Sequence, residues 1–166
     1  MFTIKKAAAC AAAALAATGA TAAAGPAPAG QAHNAGQLVR FYNEAVNGVL
    51  DSAKYGPVAI AWQANGTVWQ NWVLRPTSLG YLLEAQGKPD KCLQAYAEPG
   101  TEIPLVECNV NIPTQHWQLD RTGDKVVIAQ ATDEDYVIAA QSNGNPVVKA
   151  FRDNSPRQLW LVSAPS

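Results

Sequence analysis

The stretch Pro113-Thr114-Gln115-His116-Trp117-Gln118-Leu119 decides the fold. Its Gln-x-Trp centre recurs as Gln70-Asn71-Trp72 and as Gln158-Leu159-Trp160, each followed by apolar residues. The leading glutamines stand 45 and then 43 residues apart. A short motif repeated three times at nearly one period marks three copies of one unit that share a core.

Working outward, each copy divides into four short strand-like runs separated by turn residues. The first copy spans about Gln37 to Pro76. It holds Leu38–Asn43, the Asn47-Gly48 turn, Val49–Ser52, the breaker Tyr55-Gly56-Pro57, Val58–Trp62 and Trp69–Leu74. Large and small residues alternate through Val58-Ala59-Ile60-Ala61-Trp62, which puts Val58, Ile60 and Trp62 on one face. The second copy, about Thr77 to Arg121, offers Tyr81–Ala85, Cys92–Tyr96, Ile103–Cys108 and Gln115–Leu119. The third offers Lys125–Ala129, Tyr136–Ala140, Val147–Phe151 and Leu159–Val162, with Asp133-Glu134-Asp135 read as a solvated turn. No segment sustains a helical period. Twelve short strands in three fours predict an all-β fold, a β-trefoil: a six-strand barrel closed by three hairpins.

The stretch before this domain reads differently. Lys5 and Lys6 precede the apolar run Ala7–Ala17, which is too short to span a bilayer. Small residues follow, so residues 1–24 read as a secretory signal peptide cleaved near Ala24, with Ala22 and Ala29 as alternatives. Residues 25–36 are rich in Ala, Gly and Pro and read as a flexible lead-in containing His33. The mature chain of about 140 residues is expected to be secreted, with one domain over 37–166 and no membrane span. Cleavage removes Cys10 and leaves Cys92 and Cys108. An even pair in an exported chain reads as one disulfide, worth roughly 3 kcal/mol for a loop of about 15 residues.

Of the 12 basic residues, Lys5 and Lys6 leave with the signal, so 10 face 13 acidic ones, a net charge of −3. With no basic run, nucleic acid is not an expected partner. Two histidines, one in the lead-in and one inside Gln115-His116-Trp117, make no metal site, and no cofactor is expected. No Gly-x-Ser-x-Gly, P-loop or His-Glu-x-x-His pattern occurs, and no spaced carboxylate pair argues for hydrolysis. The chain is therefore not expected to be an enzyme.

Three Gln-x-Trp motifs at this spacing resemble those of the ricin B-type lectins, carbohydrate-binding β-trefoils, and the secretory leader suggests a bacterial member. Cys92-Leu93 and Cys108-Asn109 resemble that family's Cys-Leu-Asp and Cys-Asn segments, whose cysteines pair within a repeat. On physical grounds the motif is structural. Trp72, Trp117 and Trp160 are expected to meet in the barrel interior, while the Gln70, Gln115 and Gln158 amides satisfy loop backbone groups.

The sugar-binding roles that the resemblance implies fall on other residues. A pyranose offers vicinal hydroxyls and an apolar face, so a site wants a carboxylate, an amide and an aromatic platform. The carboxylate place, just after the apolar residue of the second strand, holds Asp51, Gln94 and Ala139. Aligning the third strands on Cys108 puts Trp62 and Phe151 at the cysteine place, and leaves Ile60, Val106 and Lys149 at the stacking place. A register shift in the shorter first repeat would instead bring Trp62 to the pocket, with Asn65 or Asn71 supplying the amide. The carbohydrate-binding candidates are thus Asp51, Trp62, Asn65, Asn71 and Gln94, best assembled in the first repeat, with galactose-type glycans as candidate ligands. The competing expectation is a trefoil with degenerate pockets that acts through a protein partner, as a toxin accessory or a protease inhibitor.

Overall fold

The computed structural model describes residues 36–96 and 98–165. The signal peptide read over 1–24, and the lead-in apart from Gly36, lie outside the described residues.

Among the described residues twelve strands follow one another, and their pairing explains the threefold plan. In the first unit they are β1 (Gln37–Asn43), β2 (Gly48–Asp51), β3 (Ile60–Trp62) and β4 (Trp72–Thr77). The second unit has β5 (Gly80–Ala85), β6 (Lys91–Leu93), β7 (Leu105–Glu107) and β8 (His116–Thr122). The third has β9 (Lys125–Gln130), β10 (Asp133–Ala139), β11 (Val148–Phe151) and β12 (Leu159–Ser163). The first and last strands of each unit close a ring in which β1 pairs β4, β4 pairs β5, β5 pairs β8, β8 pairs β9, β9 pairs β12 and β12 returns to β1. Closure leaves these six strands without a free edge. The inner strands form the hairpins β2–β3, β6–β7 and β10–β11.

The hairpins meet at a small cyclic array. The Ala59 N–H donates to the Ile103 carbonyl at 2.9 Å, Ile103 to Val147 at 3.0 Å, and Val147 back to Ala59 at 3.0 Å. These three residues mark the pseudo-threefold axis. Beneath them the barrel is filled by Phe41, Trp72, Leu74, Leu83, Trp117, Ile128 and Trp160, all buried. Each core indole also satisfies its polar atom. The Nε1 of Trp72, Trp117 and Trp160 donates to the carbonyl of Leu50, Leu93 and Ile138, at 2.9, 3.1 and 3.2 Å. A buried indole thus fills volume and leaves no donor unpaired.

Two expectations about local structure change. The run Trp69–Leu74 does not begin as a strand: Val68–Gln70 forms a 3-10 turn, and β4 starts at Trp72. Pro113–Gln115 and Pro156–Gln158 do the same, with proline in the first turn of each. Proline presets the tight φ and lacks an N–H, so it opens such a turn readily. The turn carries each motif Gln back toward its loop. Asp133-Glu134-Asp135, read as a turn, is the exposed start of β10, where the pairing with β9 is irregular up to Val137.

Cys92 and Cys108 form the expected disulfide, with Cα atoms 4.9 Å apart. It ties β6 to the segment just after β7.

Candidate functional site

Three independent markers align the units. The core indoles select Leu50, Leu93 and Ile138 on the second strands. The hairpin ladders set these opposite Ala61, Leu105 and Lys149. The motif amides select the third strands: Gln70, Gln115 and Gln158 donate from Nε2 to the carbonyls of Gln63, Glu107 and Phe151. All three give one register. Asp51, Gln94 and Ala139 are equivalent, as are Trp62, Val106 and Ala150. The residues equivalent to Cys108 are Ala64 and Arg152.

This corrects the alignment on Cys108, which had set Trp62 and Phe151 at the cysteine place. The second unit carries one extra residue between its third strand and its motif, which accounts for the one-residue error at Phe151; Trp62 had been set two residues off, and the ladder and the motif amide place it. Trp62 stands at the stacking place and is 43% exposed, and Phe151 is a surface ring packed on Tyr136 with centroids 4.9 Å apart. Lys149 is buried, its Nζ over the Tyr136 ring and donating to the Tyr96 carbonyl.

Strand geometry brings Asp51 and Trp62 together. In the β2–β3 ladder Leu50 and Ala61 face the barrel, so Asp51, Ile60 and Trp62 share the outer face. They line a cavity of about 470 Å³ with Ala53, Lys54, Tyr55, Asn65, Thr67 and Trp69.

Asp51 is fixed from two sides. Its Oδ1 accepts the Ala53 N–H at 2.7 Å, a turn that holds Ala53 at φ 49°. That conformation is uncommon for a residue with a Cβ, and such strain tends to collect at functional positions. Burial raises the Asp51 carboxyl above its ordinary value; the Ala53 N–H, the Gln70 amide and the Lys88 ammonium pull it back. Lys88, on the facing turn of the second unit, donates to the Gly56 carbonyl at 2.6 Å, and burial lowers its own pKa while Asp51 opposes this.

Asn65 is held in a similar way. Its N–H donates to Gln70 Oε1 at 3.0 Å, and its Oδ1 accepts from the Thr67 N–H at 3.1 Å and the Thr67 hydroxyl at 2.8 Å. With the carbonyl occupied, the amide NH₂ is the group that Asn65 can offer a ligand. Gln70 therefore braces both the loop that bears Asn65 and the carboxylate of Asp51. The Gln of the motif acts beyond the barrel.

The remaining candidates lie elsewhere. Asn71 is buried between other side chains: its Oδ1 accepts from Arg40 Nε and its Nδ2 donates to Gln86 Oε1, both at 2.7 Å. It is not on the pocket wall. Those two bonds hold it between Arg40 of β1 and Gln86 just past β5. Gln94 lines the second unit's own cavity, about 350 Å³, with Val106, Asn109 and Ile112, and its Oε1 accepts from Gln115 Nε2 at 3.1 Å.

Tyr55 and Trp69 line the first cavity and escaped the reading of the sequence. In the sequence Tyr55 reads only as part of a chain break, and Trp69 as the start of a strand. The available signal for Trp69 was a fifth tryptophan with no place in the threefold pattern.

Similarity to known proteins agrees with the fold. No curated protein sequence matches the chain. A mosquitocidal holotoxin superposes with a TM-score of 0.69 at 16% identity, over 79% of this chain. The chain spans only 17% of that toxin's length. The ricin B-like lectin of Macrolepiota procera, solved in complex with lactose, gives 0.67 at 18% identity, over 80% of this chain and 98% of the lectin. The C-terminal half of the earthworm R-type lectin, solved with GalNAc, gives 0.57 at 20% identity, over 76% and 98%. These likenesses establish a β-trefoil. The family model described as the ricin-type beta-trefoil lectin domain matches residues 35–160. The chain belongs to the ricin-type β-trefoil lectin family.

Proposed function

We propose that the chain is a secreted, non-catalytic carbohydrate-binding module whose working site is the first-unit pocket. The observation that carries this reading is the shared outer face of Asp51 and Trp62 on the β2–β3 ladder. The Asp51 carboxylate accepts hydrogen bonds from two vicinal hydroxyls. The Trp62 indole covers the apolar face of the pyranose. The Asn65 amide donates to a ring substituent. The relatives solved with lactose and GalNAc make galactose-type sugars the first ligands to try. Such a shallow single site would bind near millimolar, about −4 kcal/mol. Residues 1–24 are proposed to direct export, with 37–166 as the binding domain.

The test is a glycan array and a galactose-affinity column, run with the wild type, Asp51→Asn and Trp62→Ala. Retention of the wild type and loss in both variants supports the reading. Wild-type protein that binds no glycan at roughly 10 mM sugar, well above the expected dissociation constant, or Asp51→Asn that binds as well as wild type, overturns it.

A second reading rests on the other units. Gln94 with Val106, and Ala139 with Ala150, lack both carboxylate and aromatic, so avidity from three sites is absent. A trefoil with one weak pocket fits an accessory role through a protein partner. Co-purification of a stoichiometric protein from culture supernatant, with the Asp51→Asn variant retaining it, would favour that reading.

A further inference from the structure

The loop that bears Asn65 has a counterpart in each unit. The N–H of Asn65, Asn109 and Asp153 donates to Oε1 of Gln70, Gln115 and Gln158, at 3.0, 2.7 and 2.9 Å. The side-chain oxygen of each then accepts the N–H two residues on, from Thr67, Asn111 and Ser155. The three loops share these bonds and differ in chemistry. They read Asn65-Gly66-Thr67, Asn109-Val110-Asn111 and Asp153-Asn154-Ser155.

An asparagine before a glycine can cyclise, because the next backbone nitrogen reaches the amide carbon and no Cβ obstructs it. The chain has three such pairs, at Asn47, Asn65 and Asn143. Two are blocked. Gly48 is buried as the first residue of β2 and paired with Asn43. The Gly144 N–H donates to the Ala61 carbonyl at 2.6 Å, and Asn143 Nδ2 donates to the Asn47 carbonyl at 3.1 Å. At Asn65 the constraints are reversed. Gly66 is exposed at φ 72°, with nothing beyond its chain neighbours within 4 Å of where a Cβ would stand. Among the described residues nothing accepts its N–H. Asn65 Oδ1 meanwhile receives both the N–H and the hydroxyl of Thr67, at 3.1 and 2.8 Å. These donors polarise the amide carbon and would hold the oxyanion that forms when it is attacked.

We propose that Asn65 is a self-modifying site, which deamidates spontaneously to aspartate and isoaspartate and thereby turns off the first-unit sugar pocket. The loss of binding rests on the reading of Asp51, Trp62 and Asn65 as the sugar site; the modification does not. Hydroxide takes the Gly66 amide proton, and the nitrogen bonds to Asn65 Cγ. The Cγ–Nδ2 bond breaks, and ammonia leaves with a proton returned from water. Water opens the resulting five-membered imide at one carbonyl to give aspartate, or at the other to give isoaspartate. One water is consumed, one ammonia is released and nothing is oxidised.

The third unit shows that such a loop accommodates the aspartate. Asp153 stands at the Asn65 place with the same backbone bonds, and the Ser155 N–H and hydroxyl hold its carboxyl below the ordinary value. A carboxylate at 65 would border the cavity that Asp51 lines, so two anions would face one ligand and the donor NH₂ would be gone. Isoaspartate loses the same NH₂ and routes the backbone through an extra methylene. The second unit supplies an internal control: Asn109 sits in the same loop, and the branched Cβ of Val110 hinders ring closure.

The experiment ages the full-length mature protein, disulfide intact, in mildly alkaline buffer and follows each asparagine by peptide mass mapping. Asn65 is expected to convert about tenfold faster than Asn47, Asn109 or Asn143, and Gly66→Ala to slow it by about the same factor. Equal rates at Asn47, Asn65 and Asn143 in the native protein, or a Gly66→Ala rate equal to wild type, overturns the modification. The deamidated fraction, isolated by anion exchange, and Asn65→Asp are then run on the galactose column beside fresh protein. Both should lose retention while their circular dichroism matches that of fresh protein. Retention equal to fresh protein overturns the switch. Fresh protein that binds no sugar overturns the sugar-site reading and the switch with it, while the mass map still decides the modification.

Discussion

The indole nitrogen of Trp72 donates to the Leu50 carbonyl at 2.9 Å, and Leu50 is the residue directly before Asp51. The barrel core and the pocket carboxylate are thus one peptide bond apart. A change in the core indole should reach the pocket, which separates Trp72 from its two counterparts.

Replacing Trp72, Trp117 or Trp160 by Ala should destabilise the fold by about 3–5 kcal/mol each. Replacement by Phe fills most of the volume but orphans a buried carbonyl, for about 1–3 kcal/mol. Urea unfolding measures both. Among the folded Phe variants, Trp72→Phe alone should also weaken sugar binding. Equal sugar affinity in all three would break the link between core and pocket.

The pH dependence follows from Asp51. Burial, the largest influence, raises its carboxyl, so the carboxylate that sugar binding needs is lost on acidification above the ordinary aspartate range. Stability has the opposite sign. The native state holds this proton more tightly than the unfolded chain, so ionised Asp51 destabilises the fold above its raised native value. That penalty is relieved as pH falls toward the ordinary value. Lys88 favours the charged form, and Lys88→Met should move the acid midpoint of binding upward. A midpoint that stays put in Lys88→Met, followed by calorimetry across the acid range, would assign the titration to another group.

The disulfide between Cys92 and Cys108 should contribute roughly 3 kcal/mol on the chain-entropy account. Reduction should add two hydrogens to the intact mass and lower the unfolding midpoint. Because the bond lies in the second unit, sugar binding by the first should persist in reduced, still-folded protein.

The second unit offers a gain of function. Gln94 already accepts from Gln115 at the place where Asp51 sits near Gln70, so the amide that would steady a carboxylate is present. Val106 occupies the place of Trp62. Gln94→Asp with Val106→Trp should raise the calorimetric stoichiometry from one sugar site to two. An unchanged stoichiometry in a folded variant would show that the first pocket needs more than its acid and its indole.

The fold was legible because its signal is periodic. Gln70, Gln115 and Gln158 recur with their tryptophans, and the burial of an indole at each is forced by size. Asp51 was legible because it follows an apolar strand residue at a fixed offset. Trp62 was harder, since its role depends on register, and one residue inserted after Glu107 shifts every count made along the chain. The ladder that pairs Val49 with Trp62 and the bond from the Gln70 amide to the Gln63 carbonyl set it. Asn71 shows the reverse error. It is the middle residue of the motif, yet the end of the 3-10 turn hands its side chain to Arg40 and Gln86. Trp69 stands out in the sequence only as a tryptophan outside the threefold pattern; its place is set by Gly87 of the second unit, a contact that joins two units.

The core indoles donate to backbone carbonyls, and that choice of acceptor has an evolutionary consequence. A carbonyl is the same whatever side chain its residue or the next one carries. The place that holds Asp51 in the first unit can therefore hold Gln94 in the second and Ala139 in the third without disturbing the bond that holds the barrel. Mutational drift can erase or install one pocket at a time while the architecture stays whole, so a trefoil of this design can specialise a single lobe and leave the other two as ballast.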